Sequence, residues 1–330
     1  MAYQYETEKW VRVKLDTNTL KQCMQRTNAR PLFDMMSWLA LMGIFGWLTV
    51  LYWGSFASFI TLFIYGILYG SGSSAREHET GHGTAFKSKT LNRLFHEITS
   101  FCILRETFLR NHGHDLHHRH TIITGIDPEI VTPAPPKLFQ MVVNLLQVEK
   151  SIRGFRPLIA HSFGHLLASE IAAGLTLKRQ TIWLARLWLV ILGSTGGAAL
   201  YLESVLPLLL IGPLPAMYGG TFRHLFALSQ HVGLAVNVND HRLNTRTIIL
   251  GPILSYLYLN MNHHLEHHLY PAVPYYHLPR LYKALAPQCP PAYQGFLSVF
   301  IEMIPVLLKQ RHQPDYHIVR PIPDTSLSNL

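Results

Sequence analysis

The sequence predicts an all-α integral membrane protein of about four transmembrane helices, paired as two hairpins, with a helical cap outside the bilayer. Three observations lead there. Of 330 residues, 48% are hydrophobic and only 14% charged, against about 25% charged in ordinary soluble domains. Two long stretches are almost free of charge. The 20 histidines gather beside those stretches rather than within them.

Taken in order, 1–34 carries Lys9, Arg12, Lys14, Lys21, Arg26 and Arg30, with no apolar core and no small-residue cleavage site. It reads as a cytosolic segment and not as a cleaved signal peptide. From Met35 to Ala75 no Asp, Glu, Lys or Arg occurs, about twice the length that one crossing needs. Tyr52-Trp53-Gly54-Ser55-Phe56 supplies a turn, giving spans near 35–52 and 56–74. Leu187 to Phe222 is broken only by Glu203 and reads as a second hairpin over 181–222, its arms near 181–200 and 203–222. Pro207, Pro213 and Pro215 loosen the second arm, which membrane helices tolerate. Between the hairpins, 138–148 and 158–175 are too short or too interrupted to span, and suit helices lying along the headgroups. A further span there is the main alternative. All of 1–330 is read as one domain.

The turns near Gly54 and Glu203 lack Lys and Arg, whereas 1–34, 76–180 and 223–330 carry them. The positive-inside rule places those segments, and every histidine cluster, in the cytoplasm. The formal charge of +9 is then the cytoplasmic side of an integral membrane protein, as in a bacterial inner membrane. No aromatic-interleaved basic stripe points to nucleic acid. Cys23, Cys102 and Cys289 are scattered and form no CxxC, which leaves out disulfide frameworks and thiolate zinc sites.

Histidines carry the chemistry. His264, His267 and His268 stand at i, i+3 and i+4, one face of a helix, and neutral imidazole is a ready metal ligand. His263 falls off that face. His114, His117 and His118 repeat the spacing; His112 and His120 are not placed by it. His78 and His82 form an i, i+4 pair. His231, in Gln230-His231-Val232-Gly233, lies on the same side of the membrane, with His224 two turns earlier. His161 and His165 form a pair without a third partner and read as structural. His96, His241, His277, His312 and His317 stand alone. The ligands expected are therefore His78, His82, His114, His117, His118, His231, His264, His267 and His268. Nine nitrogens exceed one metal and suit two, so the cap is expected to hold a histidine-rich dimetal site. Imidazole alone is compatible with zinc, copper, iron or nickel. Glu79, Asp115 and Glu266, interleaved in the boxes, are candidates to orient the rings.

His78-Glu79-Thr80-Gly81-His82 also reads as HExxH, the zinc-protease string, but two further histidine clusters exceed what such a site needs. A metal-binding or transport protein is the other class. Transporters keep ionisable ligands at the membrane midplane, whereas these clusters lie outside the apolar stretches.

The order HxxxH, HxxHH, HxxHH between membrane hairpins resembles the membrane fatty-acid desaturase/hydroxylase superfamily. The third box with its continuation, His264-Leu265-Glu266-His267-His268-Leu269-Tyr270-Pro271 and then Pro274 to Leu281, carries the resemblance furthest. Gln230 to Leu234 and Asp240 to Thr247 look like bacterial members. The resemblance covers roughly residues 35–285. It implies a four-span fold with a cytosolic cap, the nine ligands named above, two iron ions, O2 as co-substrate, and a desaturase acting on a fatty acyl lipid. Hydroxylation of a lipid, alkane or carotenoid, or desaturation of a small amino-acid-like molecule, is the alternative. No cytochrome-like domain is visible in the sequence, so a separate ferredoxin or cytochrome-type electron donor is implied. Some members place Asn where this chain has Ala227, which makes Gln230 or Asn262 the candidate substitute.

Overall fold

Three helices of the computed structural model, which describes residues 10–132 and 135–323, are long and apolar enough to cross a membrane: Ala29–Leu51, Phe56–Gly81 and Arg179–Tyr201. All three lie in one of the two compact units into which the chain divides, formed by residues 27–111 and 139–225. The first two are the expected first hairpin. It turns where Gly54 adopts φ 84°, a left-handed conformation that glycine enters without a Cβ clash. Phe33, Trp47, Phe59 and Phe63 are exposed on these helices, as lipid-facing side chains are.

The second helix continues past 74. A π turn at Leu68–Gly72 shifts its register without ending it, and Ser73–Gly81 follows directly. Trp38, fully buried, donates its indole N–H to the Leu68 carbonyl at 2.9 Å, where the ordinary i to i−4 ladder is interrupted.

The second hairpin has one continuous arm, Arg179–Tyr201. The other arm is not one helix but two short ones, Leu206–Leu210 and Pro213–Tyr218, ahead of Thr221–His231. Pro207 and Pro213 sit in their first turns, and Gly212 between them has φ 98°. Prolines remove donors from the helical ladder, and backbone groups freed at membrane depth need partners. Tyrosines supply them. Tyr65 donates to the Leu210 carbonyl at 2.5 Å, Tyr218 to the Leu209 carbonyl at 2.9 Å, and the Gly212 N–H donates to the Tyr69 hydroxyl at 3.0 Å. The broken arm packs backbone to backbone on the helix Phe56–Gly81: a Cβ on Gly70 would lie 2.7 Å from the Gly219 carbonyl carbon. Small residues permit that approach between membrane helices.

Within residues 138–175 no helix is long and apolar enough to cross a membrane. Their longest helix, Val148–Ser162, has 15 residues, about 22 Å, short of the roughly 30 Å of hydrocarbon. His161 in this helix is fully buried, its Nδ1 2.5 Å from Glu106 Oε2 and its Nε2 3.0 Å from Glu170 Oε2. The imidazole ties the residues after Cys102 to the turn before Arg179. His165 is exposed.

The other unit gathers residues 10–26, 112–138 and 226–323. Its helices include His264–Leu269, Leu278–Leu285 and Phe296–Gln310, with a two-residue parallel ladder, Ile248–Ile249 on Tyr293–Gln294. Leu259, Met261, Leu265, Leu278, Leu281 and Leu285 are buried in this unit.

Candidate metal centre

Helix Thr107–Arg119 carries His114, His117 and His118, and helix His264–Leu269 carries His264, His267 and His268. The spacing puts each triplet on one face. His231 is the last residue of Thr221–His231. Within the 112–138 and 226–323 unit these rings form two sets. In the first, ligand atoms of His117, His231, His264 and His268 lie within 4.8 Å of one another. His264 Nε2 is 3.1 Å from both His231 Nε2 and His268 Nε2. All four rings are buried. In the second, His118 Nε2 stands 3.1 Å from His114 Nε2 and 3.2 Å from His267 Nε2. In the other unit His78 and His82 hold their ring centroids 5.2 Å apart, one helical turn from each other.

The outward nitrogens decide the tautomers. His231 Nδ1 donates to the Asn244 carbonyl at 2.8 Å, and His117 Nδ1 donates to Asp127 Oδ2 at 2.8 Å. Thr121 spends its hydroxyl proton on the His117 carbonyl at 2.7 Å, so its oxygen accepts from His268 Nδ1 at 3.2 Å. The Gln230 amide lies 3.4 Å from His264 Nδ1 and 2.5 Å from the Tyr258 hydroxyl. Its nitrogen donates to the Tyr258 hydroxyl. In the second set His114 Nδ1 donates to Glu129 Oε2 at 3.0 Å. His117, His231, His268 and His114 therefore keep their protons on Nδ1 and turn an unprotonated Nε2 inward, the arrangement of metal-bound imidazoles.

Burial disfavours the charged form of His231, His264 and His268. It pushes His231 down to about 3, with His117 adding to the effect, and drives His264 and His268 far below the ordinary histidine range, assisted by the neighbouring imidazoles. Imidazole lone pairs facing one another in a buried site repel unless a cation lies among them. An ion about 2.1 Å from each nitrogen sets adjacent nitrogens roughly 3.0–3.4 Å apart, which brackets the 3.1 Å separations. The donor set fits a bound transition metal.

Several sequence candidates stand elsewhere. His263 caps its helix with its ring against Tyr282, centroids 5.4 Å apart, and belongs to neither set. His112, His120 and His224 are in neither set. Asp115 is exposed and paired with Arg119 at 2.6 Å. Glu266 accepts from Thr247 at 2.7 Å, and burial pushes it up to about 7 against that hydrogen bond. Glu79 accepts from Thr84 at 2.7 Å. Asn262 donates to the Ile248 carbonyl at 2.6 Å, so of the two suggested substitutes only Gln230 reaches a ring. The groups that hold the rings, Asp127, Glu129, Thr121 and the Asn244 carbonyl, were not expected from spacing. The one available signal was the pair of carboxylates in Asp127-Pro128-Glu129, close behind the second box.

A family model described as fatty acid desaturase matches residues 55–300. The chain belongs to the fatty acid desaturase family. A comparison with curated proteins gives no match. The family match takes in every histidine of both sets and His78 and His82. This desaturase-family chain is accordingly an oxidoreductase of the desaturase or hydroxylase kind, with three apolar helices that suit it to a membrane.

Proposed function

We propose that the chain is an O2-dependent, non-haem di-iron desaturase that introduces a double bond into an aliphatic chain, a fatty acyl lipid being the substrate class. The observation that supports it most is the His117, His231, His264 and His268 set: four buried imidazoles, each with Nδ1 engaged and Nε2 turned inward. His78 and His82 are counted with the other seven histidines as ligands of two ions, following the order of the boxes along the chain. Two bound irons would supply the O2 chemistry that breaks unactivated C–H bonds. The protein's part is to hold the imidazoles in position, those of His114, His117, His231 and His268 through their Nδ1 atoms, and to keep water away from the four-ring set. Electrons come from a separate ferredoxin or cytochrome-type donor, and the centre faces the cytoplasm.

For the HExxH reading, Glu79 would have to serve as a general base. Its Oε1 accepts from Thr84 in a fully buried position, a poor place from which to activate water. The test is to express the chain in cells and compare lipid and soluble extracts by mass spectrometry. A new product two hydrogens lighter than its precursor, absent with the His264→Ala variant, is the expected result. A product heavier by one oxygen would replace desaturation by hydroxylation. No change in either extract would overturn the proposal.

A further inference from the structure

One more imidazole lies against the four-ring set. His241 is buried, with its ring centroid 5.1 Å from that of His268. Trp10 stacks on it, centroids 4.2 Å apart and planes within 12° of parallel. Trp10 is half-buried and so reaches the surface. Its indole N–H donates to the Arg119 carbonyl at 2.9 Å, at the end of the helix that carries the second box. The next residue, Val11, donates its backbone N–H to the Asn239 carbonyl at 2.9 Å. These two bonds fix the indole on the imidazole. Unlike His117, His231 and His268, His241 has an Nδ1 without a hydrogen-bond partner, although buried polar atoms are normally paired. The ring is positioned through its face and not through its edge.

We propose that Trp10 and His241 form the path by which electrons enter the centre, passing from the surface to His268. This rests on the proposed function, because a desaturation needs electrons from outside. O2 accepts four electrons: two come with the two hydrogens leaving the substrate, and two come singly from an iron–sulfur protein, which is oxidised. With two protons from solvent the oxygen leaves as two waters. Trp10 and His241 are not themselves oxidised or reduced. Their π systems, stacked 4.2 Å apart and with the imidazole 5.1 Å from the ligand ring between centroids, provide orbital coupling where a gap or a saturated side chain would provide far less.

The test uses the full-length, iron-loaded protein in detergent, without O2. Reduced [2Fe–2S] ferredoxin is mixed in, and its oxidation is followed by absorbance at saturating concentration. Replacing Trp10→Leu or His241→Leu is expected to slow the limiting rate by about tenfold or more, equivalent to about 1.4 kcal/mol of barrier. Trp10→Phe, which keeps an aromatic face, should stay close to the parent rate. Three further readouts should not move: iron content, reduction by dithionite with methyl viologen, and ferredoxin affinity of the metal-free chain by calorimetry. A parent-like limiting rate in Trp10→Leu with full iron overturns the path. Iron loss, or equal slowing with dithionite, also overturns it by making the stack merely structural. If the parent protein's own metal accepts electrons from neither reductant, the di-iron reading itself fails, and that failure is visible before any variant is made.

Discussion

Asp127 Oδ2 accepts from His117 Nδ1 at 2.8 Å and, at the same distance, from the backbone N–H of Ile122. Ile122 has φ 57°, a left-handed conformation that a β-branched residue rarely adopts. The Ile122 carbonyl in turn accepts from the Asn237 N–H at 3.1 Å. One carboxylate thus fixes the tautomer of a ring in the four-imidazole set and holds the strained turn that ends the second box. Burial would raise this carboxyl, but the hydrogen bonds from His117 and the backbone donors outweigh it and keep it below its usual value.

Replacing Asp127→Ala should therefore weaken metal binding by about 10- to 100-fold, the usual cost of losing such a partner. Competition with a chelator measures it. Asp127→Asn, which can still present an oxygen to His117 Nδ1, should lose less. An unchanged affinity in the alanine variant would remove Asp127 from the centre's support.

Neighbouring histidines should separate cleanly. His264→Ala should lose metal and turnover while the protein still inserts into membranes. His263→Ala, whose ring packs on Tyr282, should retain metal. Elemental analysis of both purified variants distinguishes them, and equal losses would contradict the two-set geometry.

The crossing of Gly70 and Gly219 is a packing prediction. Gly70→Val places its Cβ 2.7 Å from backbone carbon, and overpacking of this kind costs about 1–3 kcal/mol or more. Thermal unfolding in detergent should show a lower Tm. Gly193, which has open space around it, should tolerate alanine with little change.

The helical histidine boxes were legible because His114, His117 and His118, and likewise His264, His267 and His268, lie at spacings that only a helix face brings together. Asp115 and Glu266 were misread for the same reason. Each is adjacent in sequence to a ligand, and on a helix the next residue points about 100° away. The real partners arrive from loops: Asp127 after a turn, Asn244 through its carbonyl, which no side-chain pattern reveals. Pro207 and Pro213 announced a weakened fourth arm, but Tyr65 and Tyr69, two of the three tyrosines that satisfy its backbone, come from a distant helix. His241 stood alone in the sequence, and only the fold sets it between Trp10 and His268.

His161 gives a pH prediction away from the metal. Burial would lower its pKa, but Glu106 and Glu170 outweigh that and raise it above the ordinary value. The stabilisation from this clamp is then fully present below about pH 6.5 and is lost as pH rises through the folded-state pKa. Tm should fall over that alkaline interval in the parent and lose that component of its pH dependence in His161→Gln. A parent-like profile in the variant would show that the clamp does not titrate.

The most direct measurement is the metal content of the purified full-length protein, taken together with O2 uptake after adding reductant. The account predicts about two iron ions per chain, held by imidazoles alone, and O2 consumption that depends on reductant. One zinc ion per chain, with no iron and no O2 uptake, would contradict it.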